Sequence, residues 1–249
     1  MQVERVAVVT GASSGIGAAI ARALATVGWR LVLLARRSDK LRGVGDETGG
    51  EVEVCDVSDR SSVEQVAGRV LARHPRIALL VNNAGVGARA NFLAADAERI
   101  EQVVRTNYLG GVWCLRAFLP GLEAAAPSDV VNIVSVAGLV ALPQSGPYAA
   151  SKHAQLAFSR STAVLLRKRG IRVHSILPGF VETEGFPQRR RSRNPVWQRL
   201  VIEPEAVAER VRSVIGTDVP EIAVPRSYRA LAIPALLAPG LLVRLLGRR

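Results

Sequence analysis

The sequence predicts a single-domain α/β protein, a doubly wound parallel sheet of about seven strands flanked by helices. Short runs of Val, Leu and Ile are apolar on both faces, which is typical of strands covered on both sides. Longer segments with helical spacing separate these runs, as crossover helices do between parallel strands. The chain has 249 residues, which is long enough for one such domain with a well-buried core.

Predicted strands and helices alternate along almost the whole chain. The strands cover residues 6–9, 31–34, 52–55, 78–81, 130–135 and 173–177, with a weaker one at 222–224. The helices cover residues 16–27, 61–73, 95–119, 148–169 and 205–215. No internal repeat, low-complexity linker or change in composition marks a second domain. We therefore expect one domain over residues 1–227, followed by an apolar and basic tail over residues 228–249.

Composition and charge narrow the classes of function. The chain carries 33 basic and 21 acidic residues, and its net charge of +12 suits nucleic acid, an anionic membrane surface, or a phosphorylated or acidic small molecule. Aromatic residues make up only 4% of the chain, and no basic stripe alternates with aromatics that could stack on bases. We therefore expect no nucleic-acid partner.

Cysteine and histidine usage indicates neither disulfides nor a metal site. Cys55 and Cys114 form no CxxC pair, so they are interpreted as buried thiols in a reduced compartment. His74, His153 and His174 lack any ligand spacing. The N-terminal stretch MQVERVAVVTG enters a predicted strand almost at once, which leaves no room for a signal peptide and predicts a cytoplasmic location.

A glycine-rich turn follows the first predicted strand. It reads Thr10-Gly11-Ala12-Ser13-Ser14-Gly15-Ile16-Gly17 and leads into an Ala-rich helix. A glycine at the strand end allows a sharp turn, and Gly15 and Gly17 let the backbone approach a pyrophosphate at the helix N-terminus. The turn therefore predicts a dinucleotide-binding site, although its spacing differs from GxGxxG.

Motifs further along the chain point to a particular family. Each one ends or follows a predicted strand, or lies in the helix after it. In chain order they are Asn82-Asn83-Ala84-Gly85, Asn107, Ser135, Tyr148, Lys152, Pro178-Gly179 and Thr183. In this order and spacing the set resembles the short-chain dehydrogenase/reductase family, whose fold is of the Rossmann type. The resemblance extends from about residue 6 to residue 183, and more loosely to residue 224.

The chemistry of these residue types supports a carbonyl–alcohol conversion. Tyr148 and Lys152 are one helical turn apart, so their side chains share a face. A phenol with a pKa of about 10 is a poor base at neutral pH. We expect the ammonium group and an oxidised nicotinamide to lower the pKa of Tyr148. In reduction, Tyr148 would give its proton to the carbonyl oxygen, and Ser135 would hydrogen-bond that oxygen.

The resemblance adds further roles. It implies that Lys152 holds the nicotinamide ribose, that Asn107 holds a water linking Lys152 to solvent, and that hydride leaves the B face of the nicotinamide. Asp56 would accept a hydrogen bond from the adenine amino group. The predicted cofactor-binding residues are Gly11, Ser13, Ser14, Gly15, Ile16, Gly17, Arg36, Arg37, Asp56, Val57, Asn83, Ala84, Gly85, Tyr148, Lys152, Pro178, Gly179, Val181 and Thr183.

Basic residues follow the second strand, where an NAD-binding site would offer an acid to the ribose. The acid position aligns with Ala35, which is followed by Arg36 and Arg37. Arg36 could bind a 2′-phosphate with its guanidinium fork, while Arg37 adds charge and Ser13 reaches the phosphate. We therefore favour NADP(H) over NAD(H). The alternative is that both arginines are solvated loop residues.

The substrate pocket is predicted to be apolar and roomy. Its walls are residues 136–142, residues 181–200 and part of helix 95–107, which contribute Leu139, Val140, Leu142, Phe180, Phe186 and Trp197. They favour a small lipophilic ketone, aldehyde or secondary alcohol. The basic run at residues 188–194 is either a solvated surface or a site that attracts an acidic substrate, an acyl carrier or anionic lipid.

The partners are predicted with less detail. The charge-free stretch 230–243 is too short, and too broken by prolines, to span a bilayer. With its flanking arginines it suits peripheral contact with lipid, and equally a lid, or an arm packed on a neighbouring subunit. The resemblance implies a homodimer or homotetramer formed through the helices that carry Asn107 and Tyr148.

The alternative to an enzyme is a non-catalytic NAD(P)-binding redox sensor or scaffold, but the retained Tyr148 and Lys152 favour catalysis.

Overall fold

The computed structural model describes residues 5–87, 90–140, 143–189 and 195–231, together with residues 233, 237, 240 and 244. Within them, seven strands form one parallel sheet. The strands are β1 (Val6–Thr10), β2 (Arg30–Ala35), β3 (Glu51–Val54), β4 (Leu79–Asn82), β5 (Ser128–Ile133), β6 (Ile171–Pro178) and β7 (Glu221–Val224). Their spatial order is β3-β2-β1-β4-β5-β6-β7. Each overlaps a predicted strand, and the predicted fold class is confirmed.

Helices cover both faces of the sheet. The helices in the described part of the chain are α1 (Gly15–Ala25), α2 (Ser38–Thr48), α3 (Arg60–Arg73), α4 (Ala97–Val104), α5 (Gly110–Ala124), α6 (Gly146–Arg167), α7 (Pro195–Leu200) and α8 (Pro204–Val214). One apolar cluster packs α1 and α8 against the sheet, and a second packs α3 and α5 on the other face. Cys55 and Cys114 are buried in the second cluster as free thiols.

Three helical regions differ from the prediction: α2 and α7, which were not predicted, and the predicted helix 95–119. The sequence did not predict α2, because two internal glycines and several charges weaken its helical pattern and only Leu41 and Val44 bury apolar side chains. The predicted helix 95–119 is instead divided into α4, a π-helical turn at Arg105–Leu109, and α5. The helix α5 continues past Pro120 and ends at Ala124.

The strand order places a cleft at the carboxyl end of the sheet, between β1 and β4. The chain moves outward from β1 to β3 and then returns to place β4 on the other side of β1. The helices that follow β1 and β4 therefore leave on opposite faces, and a crevice opens between the carboxyl ends of these strands. In doubly wound sheets, ligands bind in this crevice.

A buried ion-pair cluster holds the opposite end of the sheet. The carboxylate of Asp129 on β5 accepts hydrogen bonds from Arg172 Nε (2.8 Å) and Nη2 (2.9 Å) on β6, and His174 Nε2 lies 2.9 Å from it. The backbone N–H of Gly216 adds a weaker contact at 3.3 Å. Burial alone would raise the pKa of Asp129, but the hydrogen bonds from Arg172, His174 and Gly216 lower it overall.

We expect Asp129→Asn to lower the free energy of unfolding by about 3 kcal/mol, because it removes the buried counter-ion of the Arg172 guanidinium. Since the folded pKa of Asp129 lies below the unfolded value, its contribution is present above a pH of about 4 and is lost as the pH falls through the folded pKa. Urea denaturation between neutral and acidic pH measures this loss. Asp39→Asn, on an exposed carboxylate, is the control, and equal stability of the two variants would contradict the prediction.

Candidate active site

The loop between β1 and α1 allows close approach of a ligand to its backbone. Gly11 and Gly15 have φ values of 67° and 56°, in the left-handed region that favours glycine. A Cβ on Gly17 would lie 2.3 Å from the carbonyl oxygen of Gly11, so a larger residue does not fit. The loop leads into the first turn of α1, whose Ser14 N-cap makes no side-chain cap bond, and the N–H groups of a helix N-terminus suit an anion. The other predicted loop residues, Ser13, Ser14 and Ile16, are buried or half-buried.

The loop after β4 is tied to this glycine loop by side-chain hydrogen bonds. Thr10 Oγ1 accepts from the backbone N–H groups of Asn83 (3.0 Å) and Ala84 (3.1 Å). Asn83 Nδ2 donates in the other direction to the carbonyl oxygens of Thr10 (2.8 Å) and Gly11 (3.3 Å). These bonds give the two loops one fixed arrangement at the cleft.

Tyr148, Ser135 and Lys152 lie together at the carboxyl end of β5. Tyr148 and Lys152 are both on α6, and Lys152 Nζ lies 5.8 Å from the centroid of the Tyr148 ring. Ser135 is the side chain whose hydrogen bonding acts on the pKa of the Tyr148 hydroxyl, which it lowers against the effect of burial. Ser135 follows β5 by two residues, rather than ending it as predicted, and its Oγ accepts from the backbone N–H of Ala137 at 3.1 Å.

Lys152 is buried, and its ammonium group donates to two neutral oxygens. Nζ donates to the carbonyl oxygen of Ile133 (2.9 Å) and to Gln155 Oε1 (2.7 Å). Burial lowers the pKa of Lys152 to about 7, so this group changes charge near neutral pH. Sequence analysis missed Gln155. A polar residue three positions after Lys152, on the same helix face, was the available signal.

The pKa of Tyr148 is raised in the chain without cofactor, and the predicted lowering, which counts on the charge of an oxidised nicotinamide, stays a prediction. Burial raises the pKa of Tyr148, and its hydrogen bond with Ser135 offsets this only in part. Phe186 packs against the ring, with the two centroids 5.8 Å apart. Because burial also disfavours the charged form of Lys152, this lysine does not supply the full positive charge that the sequence analysis assumed.

Asn107 lies in the π-helical turn between α4 and α5. Its Oδ1 accepts from the backbone N–H of Val86 (2.7 Å), and its Nδ2 donates to the Val86 carbonyl (3.0 Å) and to Ser151 Oγ (3.0 Å). Such turns are frequent at functional sites. A Cβ built on Gly85 would lie 3.3 Å from Asn107 Oδ1 and 3.8 Å from Lys152 Nζ, so these three predicted residues adjoin one another.

The two arginines after β2 contact different partners. Arg36 forms an ion pair with Asp56, which follows β3, at 3.7 Å. Arg37 Nη2 donates to Ser14 Oγ (2.5 Å) and Ser13 Oγ (3.2 Å). Arg37 rather than Arg36 therefore lies against the glycine loop, whereas the sequence analysis gave Arg36 the leading position.

The segment after β6 lies across the cleft. Thr183 Cγ2 is 3.0 Å from a Cβ built on Gly15, so this threonine covers the glycine loop. The ring of Tyr228 packs so closely on Gly179 that a Cβ there would lie 1.8 Å from it. Of the remaining predicted cofactor residues, Pro178 ends β6, Val181 is buried in the core, and Val57 is buried against Gly110.

The predicted pocket walls and tail are only partly within the described residues. Leu142, residues 190–194, the side chain of Trp197 and most of the tail after Leu231 lie outside them. Phe186 faces Tyr148, whereas Phe180 packs edge-on against Tyr228. Leu139 and Val140 are half-buried beyond Ser135.

Neither a bilayer-spanning helix nor a metal-ligand cluster occurs in the described ranges. None of their helices combines the length and hydrophobicity needed to cross a membrane. In the same ranges, His, Cys, Asp and Glu side chains form no group of three placed to hold a metal ion.

The sequence is similar to those of known oxidoreductases. The family model described as short chain dehydrogenase matches residues 5–194. Over 191 residues the chain is 34% identical to dehydrogenase/reductase SDR family member 7B of Danio rerio, a match that covers 72% of this chain but only 62% of that protein. Over 198 residues it is 38% identical to the oxidoreductase UcpA of Salmonella typhimurium, covering 77% of this chain and 74% of the relative.

The fold is similar to solved structures that contain either cofactor. A metagenomic short-chain oxidoreductase in complex with NADP is 35% identical, with a TM-score of 0.75 and coverage of 88% of this chain and 95% of that one. An actinorhodin polyketide ketoreductase variant with NADPH is 30% identical, with a TM-score of 0.81 and coverage of 90% and 97%. A short chain dehydrogenase/reductase from Burkholderia phymatum in complex with NAD is 28% identical, with a TM-score of 0.83 and coverage of 96% and 95%.

We expect Lys152→Met to alter the pH dependence of stability. The pKa of this lysine is lowered from 10.5 to about 7 by folding. Between these values the unfolded chain binds more protons, so the wild-type free energy of unfolding rises with pH. The variant should lack this rise, which amounts to at most about 1.4 kcal/mol per pH unit.

Denaturation curves across this pH window measure the effect. Lys168→Met, at an exposed lysine just after α6, is the matched control. If Lys152→Met and Lys168→Met had the same pH slope, Lys152 would not have a lowered pKa in the folded protein.

Proposed function

Because the chain belongs to the short-chain dehydrogenase/reductase family, we propose that it is an NADP(H)-dependent oxidoreductase that interconverts a lipophilic ketone or aldehyde and the corresponding alcohol. One observation carries this proposal. Tyr148, Ser135 and Lys152 lie together beside the crevice at the carboxyl ends of the strands. This arrangement combines a proton donor, a hydrogen-bond donor for the substrate oxygen, and a titrating lysine.

The residues of the cleft fit a nicotinamide dinucleotide. The turns at Gly11 and Gly15, and the missing side chain of Gly17, leave backbone N–H groups open to a pyrophosphate. Arg37, with the hydroxyl groups of the glycine loop, offers donors suited to a phosphate on the adenosine ribose. The NADP- and NADPH-containing neighbours support this choice, although one neighbour contains NAD. When bound, the cofactor supplies or accepts the hydride.

Tyr148 would act as the acid in reduction and as the base in oxidation. In reduction, Tyr148 Oη gives its proton to the substrate oxygen while Ser135 Oγ donates a hydrogen bond to the same atom. The raised pKa keeps Tyr148 protonated at neutral pH, which suits the proton donor of a reduction. In oxidation Tyr148 must lose that proton, and the charged form of Lys152 would then favour the phenolate.

Apolar side chains near Tyr148 support a lipophilic substrate. Phe186 packs on its ring, and the half-exposed Phe92 lies against Gly146 at the start of α6. A substrate of this kind would gain binding energy from apolar surface that the cleft already presents.

An exposed apolar surface supports a homodimer or homotetramer. Val164 and Leu165 on α6 are 75% and 67% exposed, and exposed apolar patches are typical of interfaces. Contact of the tail at residues 228–249 with lipid stays a prediction.

We expect Tyr148→Phe to lower kcat for the NADPH-dependent reduction of a hydrophobic ketone by about 10²- to 10⁴-fold, because the proton donor is lost. NADPH affinity should stay close to the wild-type value, since the ring remains. Initial rates over a panel of carbonyl compounds, with fluorescence titration of NADPH, provide both measurements.

The matched control is Tyr108→Phe, whose ring packs edge-on against Phe158. If the wild type reduces a ketone and Tyr148→Phe reduces it at the same rate, the proposed role of Tyr148 is contradicted. Tight binding of NADPH without turnover of any carbonyl compound or alcohol would instead favour a non-catalytic sensor or scaffold.

We expect Arg37→Ala to weaken NADPH binding by about tenfold or more, and NADH binding much less, because a hydrogen bond to a charged group is worth about 1.5–3 kcal/mol. Arg36→Ala removes the same charge from the adjacent position, where the arginine contacts Asp56. Titration of both variants with both nucleotides compares the two positions. A larger effect of Arg36→Ala would return the leading role to Arg36, and equal losses of NADPH and NADH binding in Arg37→Ala would contradict contact between Arg37 and the 2′-phosphate.

A further inference from the structure

The loop after β6, defined here as residues 179–189, covers both the cofactor end and the catalytic end of the cleft. Thr183 lies over the glycine loop, next to Gly15. Three residues later, Phe186 packs on Tyr148 with a centroid distance of 5.8 Å. A displacement of this loop at one end of the cleft would therefore reach the catalytic tyrosine.

Between these two contacts, Glu184 extends toward the adenosine end of the cleft. Its Oε1 accepts hydrogen bonds from Lys40 Nζ on α2 and, at 3.3 Å, from Arg37 Nη1. The pKa of Glu184 is lowered, chiefly because Lys40 donates to the carboxylate and with a further contribution from Arg37. Glu184 is therefore an anion at neutral pH.

The group that holds Glu184 is also suited to a phosphate. Two cations, Arg37 and Lys40, contact the Glu184 carboxylate, and Arg37 also donates to the hydroxyl groups of Ser13 and Ser14. A phosphate monoester accepts hydrogen bonds from the same donors and carries more negative charge than a carboxylate. The 2′-phosphate of NADP(H) and the Glu184 carboxylate cannot both occupy these donors fully.

We propose that Glu184 determines cofactor specificity by competing with the 2′-phosphate of NADP(H) for Arg37 and Lys40. The inference rests on the proposed function, because it requires a nicotinamide dinucleotide in the cleft. NAD(H) carries a hydroxyl group in place of the phosphate, so it leaves the Glu184 ion pairs in place. NADP(H) displaces Glu184, which releases the loop between Thr183 and Phe186 and uncovers Tyr148 for the substrate.

The test compares Glu184→Gln with the wild type by fluorescence titration of NADPH and NADH. Glu203→Gln is the matched control, since Glu203 pairs with Arg189 at the far end of the same loop and the substitution removes the same charge. Both glutamates are exposed, and thermal melts check that both variants fold.

We expect Glu184→Gln to lower the Kd for NADPH by about two- to fivefold, within the range set by exposed ion pairs. The Kd for NADH, and both constants of Glu203→Gln, should stay near the wild-type values. The gain for NADPH should shrink at about 1 M salt, where exposed charges are screened.

Three results would overturn the inference: unchanged or weaker NADPH binding by Glu184→Gln, equal tightening for both nucleotides, or the same gain in Glu203→Gln. Weaker NADH binding alone would mean that Glu184 accepts from the ribose hydroxyl instead. If the wild type binds NADPH and reduces ketones, but Glu184→Gln does not change the ratio of the Kd for NADPH to the Kd for NADH, only this inference fails. If the wild type binds neither nucleotide, the proposed function fails together with it.

Discussion

The hydrogen bonds between Thr10 and Asn83 set the geometry on which the cleft depends. They join the ends of β1 and β4, the two strands between which the chain changes direction across the sheet. The same Asn83 amide also bonds the carbonyl of Gly11, so it helps define the glycine loop. A side chain on Gly17 would collide with both the Gly11 carbonyl and the Asn83 amide. The N-terminus of α1 is therefore packed directly against the loops that these bonds connect.

The cleft contains two kinds of positive charge, and burial separates their roles. Lys152 is buried among neutral acceptors, so its pKa falls to about 7. Its protonation can therefore respond to a change of charge on a neighbouring group. Arg37 and Lys40 are about half-exposed and pair with the Glu184 carboxylate at the other end of the cleft. An exposed cation can select between ligands with little desolvation cost. Burial of a cation has a large desolvation cost, which favours its neutral form and suits proton transfer.

Sequence patterns predicted much of the fold because they reflect local constraints. Apolar runs located the seven strands, and glycines marked the turn after β1. The four-residue spacing also placed Tyr148 and Lys152 on one face of a helix. The sequence analysis failed where tertiary contacts override local pattern. The π-helical turn at Arg105–Leu109 accompanies hydrogen bonds between Asn107 and a distant loop, and α2 is a helix despite two internal glycines.

The sequence by itself determined the fold class, the family resemblance and the residue types that could carry hydride-transfer chemistry, because these follow from spacing along the chain. Only the tertiary structure decided the charge state of those residues and their partners. Burial raises the pKa of Tyr148 and lowers that of Lys152, and burial is a property of the packed core. The contact between Arg37 and Glu184, 147 positions apart, likewise exists only because folding brings the loop after β6 onto the end of β2.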